Sequence, residues 1–429
     1  MAQTDATERT TFEERPLAPG MRLLVAPTRK FKRTRVMFFV HDRLSPERSA
    51  LGGLLPYVQK RGTAKRPTAL DLERAAGALY DAELSGGVHK VGDRQLIAYS
   101  IDMAADSYLD RPIFREGLDL LCEMVYEPAM PGGAFDREYV EQEKRFQVGR
   151  LKALVNNKIA YAQFRCVEEM FKGEPFGQHQ LGTEEGILAA TPEKLAVHHA
   201  ELLATRPIDV YVVGDVNVDA VHEAVSAAVQ GRRRAVEEVP STQVNRGVGD
   251  VRYVTQEEQM KQGWLVLGLR TDVRRCDPER YAMMVFNGIL GGFVHSKLFI
   301  NVREKASLAY AAHSTYDSNK GVILAMAGID VNKYEQALEI MKVQIDDTVA
   351  GRFTDDELEA TRRALLTQYR MRLDTADGRI LFHVGGTVEG CPDTVEQAIA
   401  AIEKVRREDV VAAAQRIRLD MVYFLKGVN

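Results

Sequence analysis

The chain repeats one order of apolar and polar segments, once in each half. In the first half, apolar runs at 21–26 and 36–40 predict two strands joined by a basic turn, and we expect these strands to form a hairpin. Two helices, two further strands and an amphipathic helix follow. A long helical segment at 137–171 and a last strand at 208–213 close this half.

The second half has the same order of elements. Because antiparallel neighbours are followed by packed helices, the pattern favours an α+β fold over a doubly wound parallel sheet. We expect two homologous αβ-roll domains, each a mainly antiparallel sheet with helices packed on one face. The predicted elements of the second half include strands at 251–255, 264–269, 309–316 and 322–329, a helix at 355–372 and a last strand at 421–425.

Four segments divide the predicted chain: a polar tail at 1–18, a first domain at 19–230, a linker at 231–250 and a second domain at 251–429. The linker prediction depends on the basic run Arg232-Arg233-Arg234, on Pro240 and on two late glycines, which are typical of connecting segments.

Composition excludes several classes of function. The chain has 429 residues with 45% hydrophobic and 28% charged residues, and 57 Lys and Arg stand against 61 Asp and Glu. A net charge of −4 gives no field that would attract nucleic acid or anionic lipid. The N-terminal segment is polar and no apolar stretch of about 18 residues occurs. We therefore expect a cytoplasmic protein without nucleic-acid or membrane partners.

The four cysteines show no C-x-x-C spacing, so the sequence suggests neither a disulfide framework nor a thiolate metal site. We expect all four to be small buried apolar residues of a protein in a reducing compartment. They are Cys122, Cys166, Cys276 and Cys391.

The most specific segment lies at 287–310. It reads Asn-Gly-Ile-Leu-Gly-Gly at 287–292, Ser-Lys-Leu-Phe at 296–299, Arg-Glu-Lys at 303–305 and Leu-Ala-Tyr at 308–310. This segment resembles the second domain of the insulinase and pitrilysin metallopeptidases, which are relatives of mitochondrial processing peptidase. Further landmarks in the same order extend the resemblance over nearly the whole chain.

The family's zinc motif is absent from its expected place. The motif His-x-x-Glu-His carries two zinc ligands and a general base on one helical face. Counting back from Arg61-Gly62-Thr63, its five positions hold Gly-Leu-Leu-Pro-Tyr. Gly53, Pro56 and Tyr57 therefore replace the three chemical groups, and we expect no metal and no cofactor in this chain. The acidic residues Glu138, Glu141 and Glu143 are interpreted as a solvated helix face.

The histidines offer no other metal site. His198 and His199 are adjacent in a predicted helix, so their side chains diverge. We interpret His295, beside the glycine pair, as a structural residue.

The resemblance implies roles for four residues of the second domain. Arg303 and Tyr310 match a family pair that holds the substrate backbone and helps to polarise the scissile carbonyl; taken alone, they would be a surface arginine and a strand tyrosine. Gly291 and Gly292 fit two roles equally well: a backbone platform for substrate, or a helix C-cap.

A chain that lacks the metal motif but keeps this pair resembles the zinc-less partner of a two-chain peptidase. The implied function is a subunit that is inactive alone, pairs with a homologous zinc-containing subunit, and supplies Arg303 and Tyr310 in trans for the cleavage of peptides or unfolded segments. Two alternatives stay open: a structural assembly subunit without a catalytic role, and a module that binds peptides without cleaving them.

Overall fold

The computed structural model describes residues 11–231, 233, 235–244 and 247–428. Within these residues the chain forms two compact units. The first unit comprises the described residues of Met1–Leu151, Gln178–Ser241 and Leu373–Leu381, and the second comprises the described residues of Lys152–Gly177, Thr242–Arg372 and Phe382–Asn429.

The described elements have the following bounds. The strands are β1 (Glu13–Ala18), β2 (Met21–Pro27), β3 (Arg33–Arg43), β4 (Glu83–Val91), β5 (Arg94–Ala104), β6 (Ile208–Gly214), β7 (Arg252–Gln259), β8 (Gly263–Arg270), β9 (Ala309–Asp317), β10 (Val322–Ile329) and β11 (Arg418–Val428). The helices are α1 (Pro46–Gln59), α2 (Ala69–Gly77), α3 (Phe114–Tyr126), α4 (Arg137–Ala153), α5 (Lys158–Met170), α6 (Glu184–Leu188), α7 (Pro192–Thr205), α8 (Val218–Val229), α9 (Arg280–Asn287), α10 (Tyr334–Val349), α11 (Asp355–Arg372), α12 (Ala376–Glu389), α13 (Val395–Lys404) and α14 (Arg407–Ala414).

The sheet of the first unit has the strand order β1-β2-β6-β3-β5-β4. Strand β6 lies between β2 and β3, parallel to β2 and antiparallel to β3. The expected β2–β3 hairpin is therefore wrong. Both strands are largely buried apolar runs, and each needs a hydrogen-bonding partner that the local pattern does not identify.

One face of this sheet packs on helices. Alternate side chains of β3, Val36, Phe38 and Val40, join Leu54 of α1 and Leu121 of α3 in one core. All five are fully buried or nearly so. The strand period of two and the helix period of 3.6 both place these residues inside, as the sequence pattern predicts.

The sheet of the second unit has the order β7-β11-β8-β10-β9. Here the last strand, β11, pairs parallel to β7 and antiparallel to β8, so the arrangement of the first unit is repeated. The predicted α+β class is confirmed.

One helix from the first half of the sequence belongs to the second unit. The predicted helical segment 137–171 divides at Asn157, whose side-chain oxygen accepts a hydrogen bond from the Ala160 N–H at 3.2 Å and starts α5. Cys166 and Met170 of α5 pack against Val266 of β8 and share a buried cluster with Tyr423 of β11. The sequence pattern did not predict this exchange.

A disulfide joins Cys276 to Cys391 in the second unit. The expectation that all four cysteines are small buried apolar residues is therefore wrong for these two. The sequence gives no sign of this bond, because its cysteines are 115 residues apart and show no short spacing. Cys122 and Cys166 are buried, as expected.

The ends of the predicted domains fall partly outside the described residues. In the predicted tail 1–18, residues 1–10 lie outside them, whereas Glu13–Ala18 forms β1 and pairs with β2. In the predicted linker 231–250, Arg232, Arg234 and residues 245–246 lie outside them. No helix in the described ranges is long and apolar enough to cross a membrane.

Candidate functional site

The degenerate zinc-motif positions lie on α1, where the helix begins with strong local signals. The Ser45 hydroxyl accepts a hydrogen bond from the Arg48 N–H at 3.3 Å, and Pro46 occupies the first helical position. Pro56 lies inside the same helix. Because proline has no N–H, this turn of α1 lacks one backbone hydrogen bond.

The space beside Gly53, which is the first predicted position of the degenerate motif, is occupied by a side chain of α4. A Cβ atom on Gly53 would lie 2.7 Å from Nε2 of Gln147. Gln147 is fully buried, and its Nε2 donates to the Ala50 carbonyl at 3.3 Å and to the Leu181 carbonyl at 2.9 Å. Any larger side chain at position 53 would displace this amide.

Pro56 and Tyr57 also have specific neighbours in the first unit. A Cβ atom on Gly86 of β4 would lie 2.8 Å from Cβ of Pro56, so the helix packs directly on the edge strand. The guanidinium carbon of Arg150 on α4 lies 3.9 Å from the centre of the Tyr57 ring, which is the geometry of a cation–π contact.

These residues do not fit a zinc ion. Zinc requires imidazole, thiolate or carboxylate ligands, whereas this locus presents a glycine, a proline, a phenol, an amide and a guanidinium. A guanidinium is a fixed cation that would repel the metal. In the described part of the chain, no three His, Cys, Asp or Glu side chains form a group that could hold a metal ion.

The neighbouring acidic residues of α4 are only partly a solvated face. Glu138 and Glu141 are exposed, as predicted. Glu143 is buried and accepts hydrogen bonds from Arg61 at 2.9 and 2.5 Å, so the interpretation is wrong for this residue. The helical period rotates position 143 toward α1, and the ion pair compensates for burial of its charge.

The paired histidines diverge, as predicted. Nε2 of His198 lies 3.7 Å from Oδ2 of Asp42, whereas Nε2 of His199 lies 2.7 Å from the Val125 carbonyl oxygen. Burial lowers the pKa of His198 to about 4 and also lowers the pKa of His199. Both are therefore neutral core residues at neutral pH.

Arg303 lies in the second unit at the end of a π-helical segment, Phe299–Lys305. Buried Val302 anchors this segment, whereas Arg303 is exposed. Its guanidinium carbon lies 4.6 Å from the centre of the Phe299 ring, and its Nε is 3.9 Å from the Glu304 carboxylate. An exposed pair at this distance holds the arginine weakly, so its N–H donors stay accessible.

Tyr310 follows seven residues later on β9, the edge strand of the sheet. The pairing with β10 shifts between Ala309 and Ala311, so Tyr310 is a bulged residue with no direct partner. A bulge re-aims its side chain, and Tyr310 is 62% exposed. Its hydroxyl makes no hydrogen bond within the described residues.

A single surface pocket of about 430 Å³ contains both predicted catalytic residues. Ser307, in a left-handed conformation with φ 49°, makes the turn between the π-helical segment and β9. Asp330, after β10, adds a carboxylate to the lining. The pocket thus presents a guanidinium, a phenol and acceptor oxygens to solvent.

The predicted glycine pair lies elsewhere. A Cβ atom on buried Gly291 would lie 2.5 Å from the Ser314 N–H nitrogen of β9, so this glycine permits a close approach of helix and strand. Gly292 ends a second π-helical segment, Gly288–Gly292. Neither lines the pocket of Arg303 and Tyr310, and their role in substrate binding stays a prediction. His295 is held by the Thr361 hydroxyl at 3.2 Å, which supports its structural interpretation.

Sequence reasoning missed Gln147, Arg150 and Asp330. Gln147 and Arg150 follow Glu143 at helical spacing, which places all three toward one side of α4. That signal was present, but the sequence does not reveal which helix this side meets. Asp330 lies 20 residues from Tyr310, and only the pairing of β9 with β10 brings them together.

Comparison with known proteins assigns the class. Residues 189–365 match the model described as the peptidase M16 inactive domain. A "Probable inactive metalloprotease YmfF" of Bacillus subtilis is 35% identical over 412 residues, which cover 96% of both chains. The chain therefore belongs to the peptidase M16 family, and the resemblance inferred from the sequence is confirmed.

Solved structures agree with this assignment. A conserved protein from Enterococcus faecalis is 29% identical with a TM-score of 0.91, covering 97% of this chain and 99% of that one. A peptidase M16 inactive domain from Pseudomonas fluorescens has a TM-score of 0.80 at 16% identity, covering 97% and 98% of the two chains, and it shares the fold.

Proposed function

We propose that this chain is the non-metal-binding subunit of a two-chain zinc metallopeptidase that processes or degrades peptides. The observation that carries the proposal is the open pocket in which Arg303 and Tyr310 lie together. Neither side chain is needed to complete a core, since both are exposed. Similarity to a probable inactive metalloprotease supports a subunit without its own metal chemistry.

The chemistry of the pair suits amide hydrolysis in trans. The Arg303 guanidinium offers planar donors to a peptide carbonyl, and the Tyr310 hydroxyl can donate to a carbonyl oxygen as negative charge develops on it. A homologous subunit with an intact motif would supply the zinc-activated water. Edge strands β4 and β9 offer main-chain groups to an extended peptide.

The other parts of the proposal follow from the degenerate locus and the composition. We assign the zinc to the partner subunit, because the residues around Gly53 and Tyr57 do not fit the ion. We place the pair in the cytoplasm, with peptides or unfolded segments as substrates.

Reconstitution tests this function. The purified chain is mixed with a homologous chain that carries an intact His-x-x-Glu-His motif, and cleavage of a quenched-fluorescent unstructured peptide is measured. We expect the chain alone to be inert and the pair to be active. Arg303→Ala or Tyr310→Phe should lower kcat by about a hundredfold, the usual effect of removing one oxyanion donor, without separating the subunits.

Lys305→Ala is the matched control, because Lys305 is exposed in the same π-helical segment but does not line the pocket. Unchanged turnover in both pocket variants, with an intact complex, would reject the catalytic role and favour an assembly subunit.

A further inference from the structure

Arg150 is an exposed cation without an ion-pair partner in the described parts of the chain. Its guanidinium stacks on Tyr57 at 3.9 Å, at the place where the family motif would end. A guanidinium that stacks on a ring uses its face and keeps its in-plane N–H donors available for other partners. Such donors match the geometry of a carboxylate.

The packing of Gln147 fixes the part of α4 that carries Arg150. One turn earlier on α4, Gln147 bonds to the Ala50 and Leu181 carbonyls and lies against Gly53. These contacts hold α4 on α1, so Arg150 and Tyr57 are presented together before any ligand binds. Preorganisation of this kind lowers the entropic cost of binding.

The neighbouring Arg61 shows how a satisfied arginine differs. Arg61 also lies near an aromatic ring, 5.6 Å from the centre of Tyr139, but the buried Glu143 carboxylate neutralises it. Within the described residues, Arg150 has the aromatic contact alone. The N–H donors of Arg150 are therefore available to bind a carboxylate, as those of Arg61 bind Glu143.

The edge strand β4 runs beside this pair. Pro56 packs on Gly86 of β4, and β4 pairs only with β5 within the described sheet. An extended peptide that adds to β4 would lie about 4.8 Å farther out, with every second side chain on the face that carries α1. Tyr57 and Arg150 lie on the helices of that face.

We infer that Arg150, stacked on Tyr57, binds a carboxylate of an extended peptide that pairs with β4. The site replaces a metal with an organic cation and gives the chain a preference for acidic peptides. This inference rests on the peptide-binding part of the proposed function and is independent of catalysis in trans.

Binding to the isolated full-length chain tests the inference. The probes are fluorescein-labelled unstructured ten-residue peptides that contain either one Glu or one Gln, each with a free or an amidated C-terminus, and fluorescence anisotropy gives Kd. The amidated Gln peptide has no carboxylate and serves as the reference. We expect at least one of the other two, the amidated Glu peptide or the free-acid Gln peptide, to bind about tenfold more tightly than this reference, because it gains one charge-assisted bidentate contact. The peptide that gains affinity identifies the carboxylate as a side chain or a C-terminus.

Arg150→Gln should abolish this tenfold preference while leaving the amidated Gln peptide unchanged, and Tyr57→Leu should reduce the preference severalfold. Arg145→Gln is the matched control, since Arg145 is another exposed arginine of α4. An absent carboxylate preference in the wild-type chain, or an equal effect of Arg145→Gln, would overturn the inference. No zinc subunit is present, so this result does not depend on whether the reconstituted pair is active.

Discussion

The degenerate zinc locus of the first unit and the Arg303–Tyr310 pocket of the second unit have opposite physical characters. At the zinc locus, a buried glutamine packs against a glycine, and a proline packs on a strand. At the second, a bulged tyrosine and an exposed arginine line an open pocket. One site has become part of the packing, whereas the other contributes little to it.

The difference separates residues that the fold needs from residues that are available for binding. Filling a locus with side chains makes stability depend on their fit, because protein interiors are close-packed. An exposed side chain in an open pocket can be removed at small cost in stability. The comparison therefore predicts large stability effects around α1 and small ones in the pocket.

The largest expected effect is a loss of stability in acid, centred on His198. The packing around α1 includes Arg48, which pairs with Asp42 at 3.0 Å and with Glu201 at 3.1 Å, and His198 faces Asp42 with Arg206 nearby. Burial lowers the pKa of His198 to about 4 in the folded chain, against about 6.5 when unfolded. The unfolded state thus binds more protons between these values, and stability falls as pH decreases from 6.5 to 4.

The shift corresponds to about 3 kcal/mol at pH 4. Urea unfolding at pH 7 and pH 4 measures this loss in the wild type and in His198→Gln, which cannot titrate in this range. We expect the wild type to lose about 3 kcal/mol more than the variant. Equal losses would show that the buried imidazole does not resist protonation.

The next effect is coupling between Gly53 and Gln147. Gly53→Ala should cost about 2 kcal/mol, because the new Cβ atom would lie 2.7 Å from the glutamine amide. In a Gln147→Ala background the same change should cost nothing, or stabilise the helix by up to about 1 kcal/mol, since alanine is the better helix former. A double-mutant cycle in urea measures the difference.

Gly149→Ala is the control for this cycle. Gly149 lies in α4, and a Cβ atom added there would meet nothing within 4 Å, so alanine should stabilise the chain. Additive effects of Gly53→Ala and Gln147→Ala would contradict the interpretation that Gln147 occupies the space beside Gly53.

The sequence predicted the elements better than their partners. Alternating and helical patterns identified the strands that became β6 and β11, and the bounds of α11 agree with the predicted 355–372. They did not predict that β6 enters between β2 and β3, because a parallel pairing between distant strands leaves no local pattern. The disulfide between Cys276 and Cys391 was missed for the same reason.

The sites divide in the same way. The family resemblance pointed to Arg303 and Tyr310, which the structure brings into one pocket. The resemblance also predicted that Gly53 and Tyr57 occupy the ligand positions of the absent motif, but it could not reveal which side chains pack around them. Gln147 and Arg150 carry no family signature in the sequence, and only the contact between α1 and α4 gives them a role.

The smallest expected effect is on stability in the pocket itself. Arg303→Ala and Tyr310→Phe should each change the free energy of unfolding by less than about 0.5 kcal/mol, because Arg303 is only weakly paired and the Tyr310 hydroxyl has no partner in the described residues. Urea unfolding of the isolated chain measures these changes. Val302→Ala, at a fully buried neighbour, should cost about 2 kcal/mol. A loss of stability in Arg303→Ala as large as in Val302→Ala would make the arginine a structural residue and remove the physical distinction between the two sites. If the loss of stability is negligible, any fall in turnover of the reconstituted pair reports on chemistry.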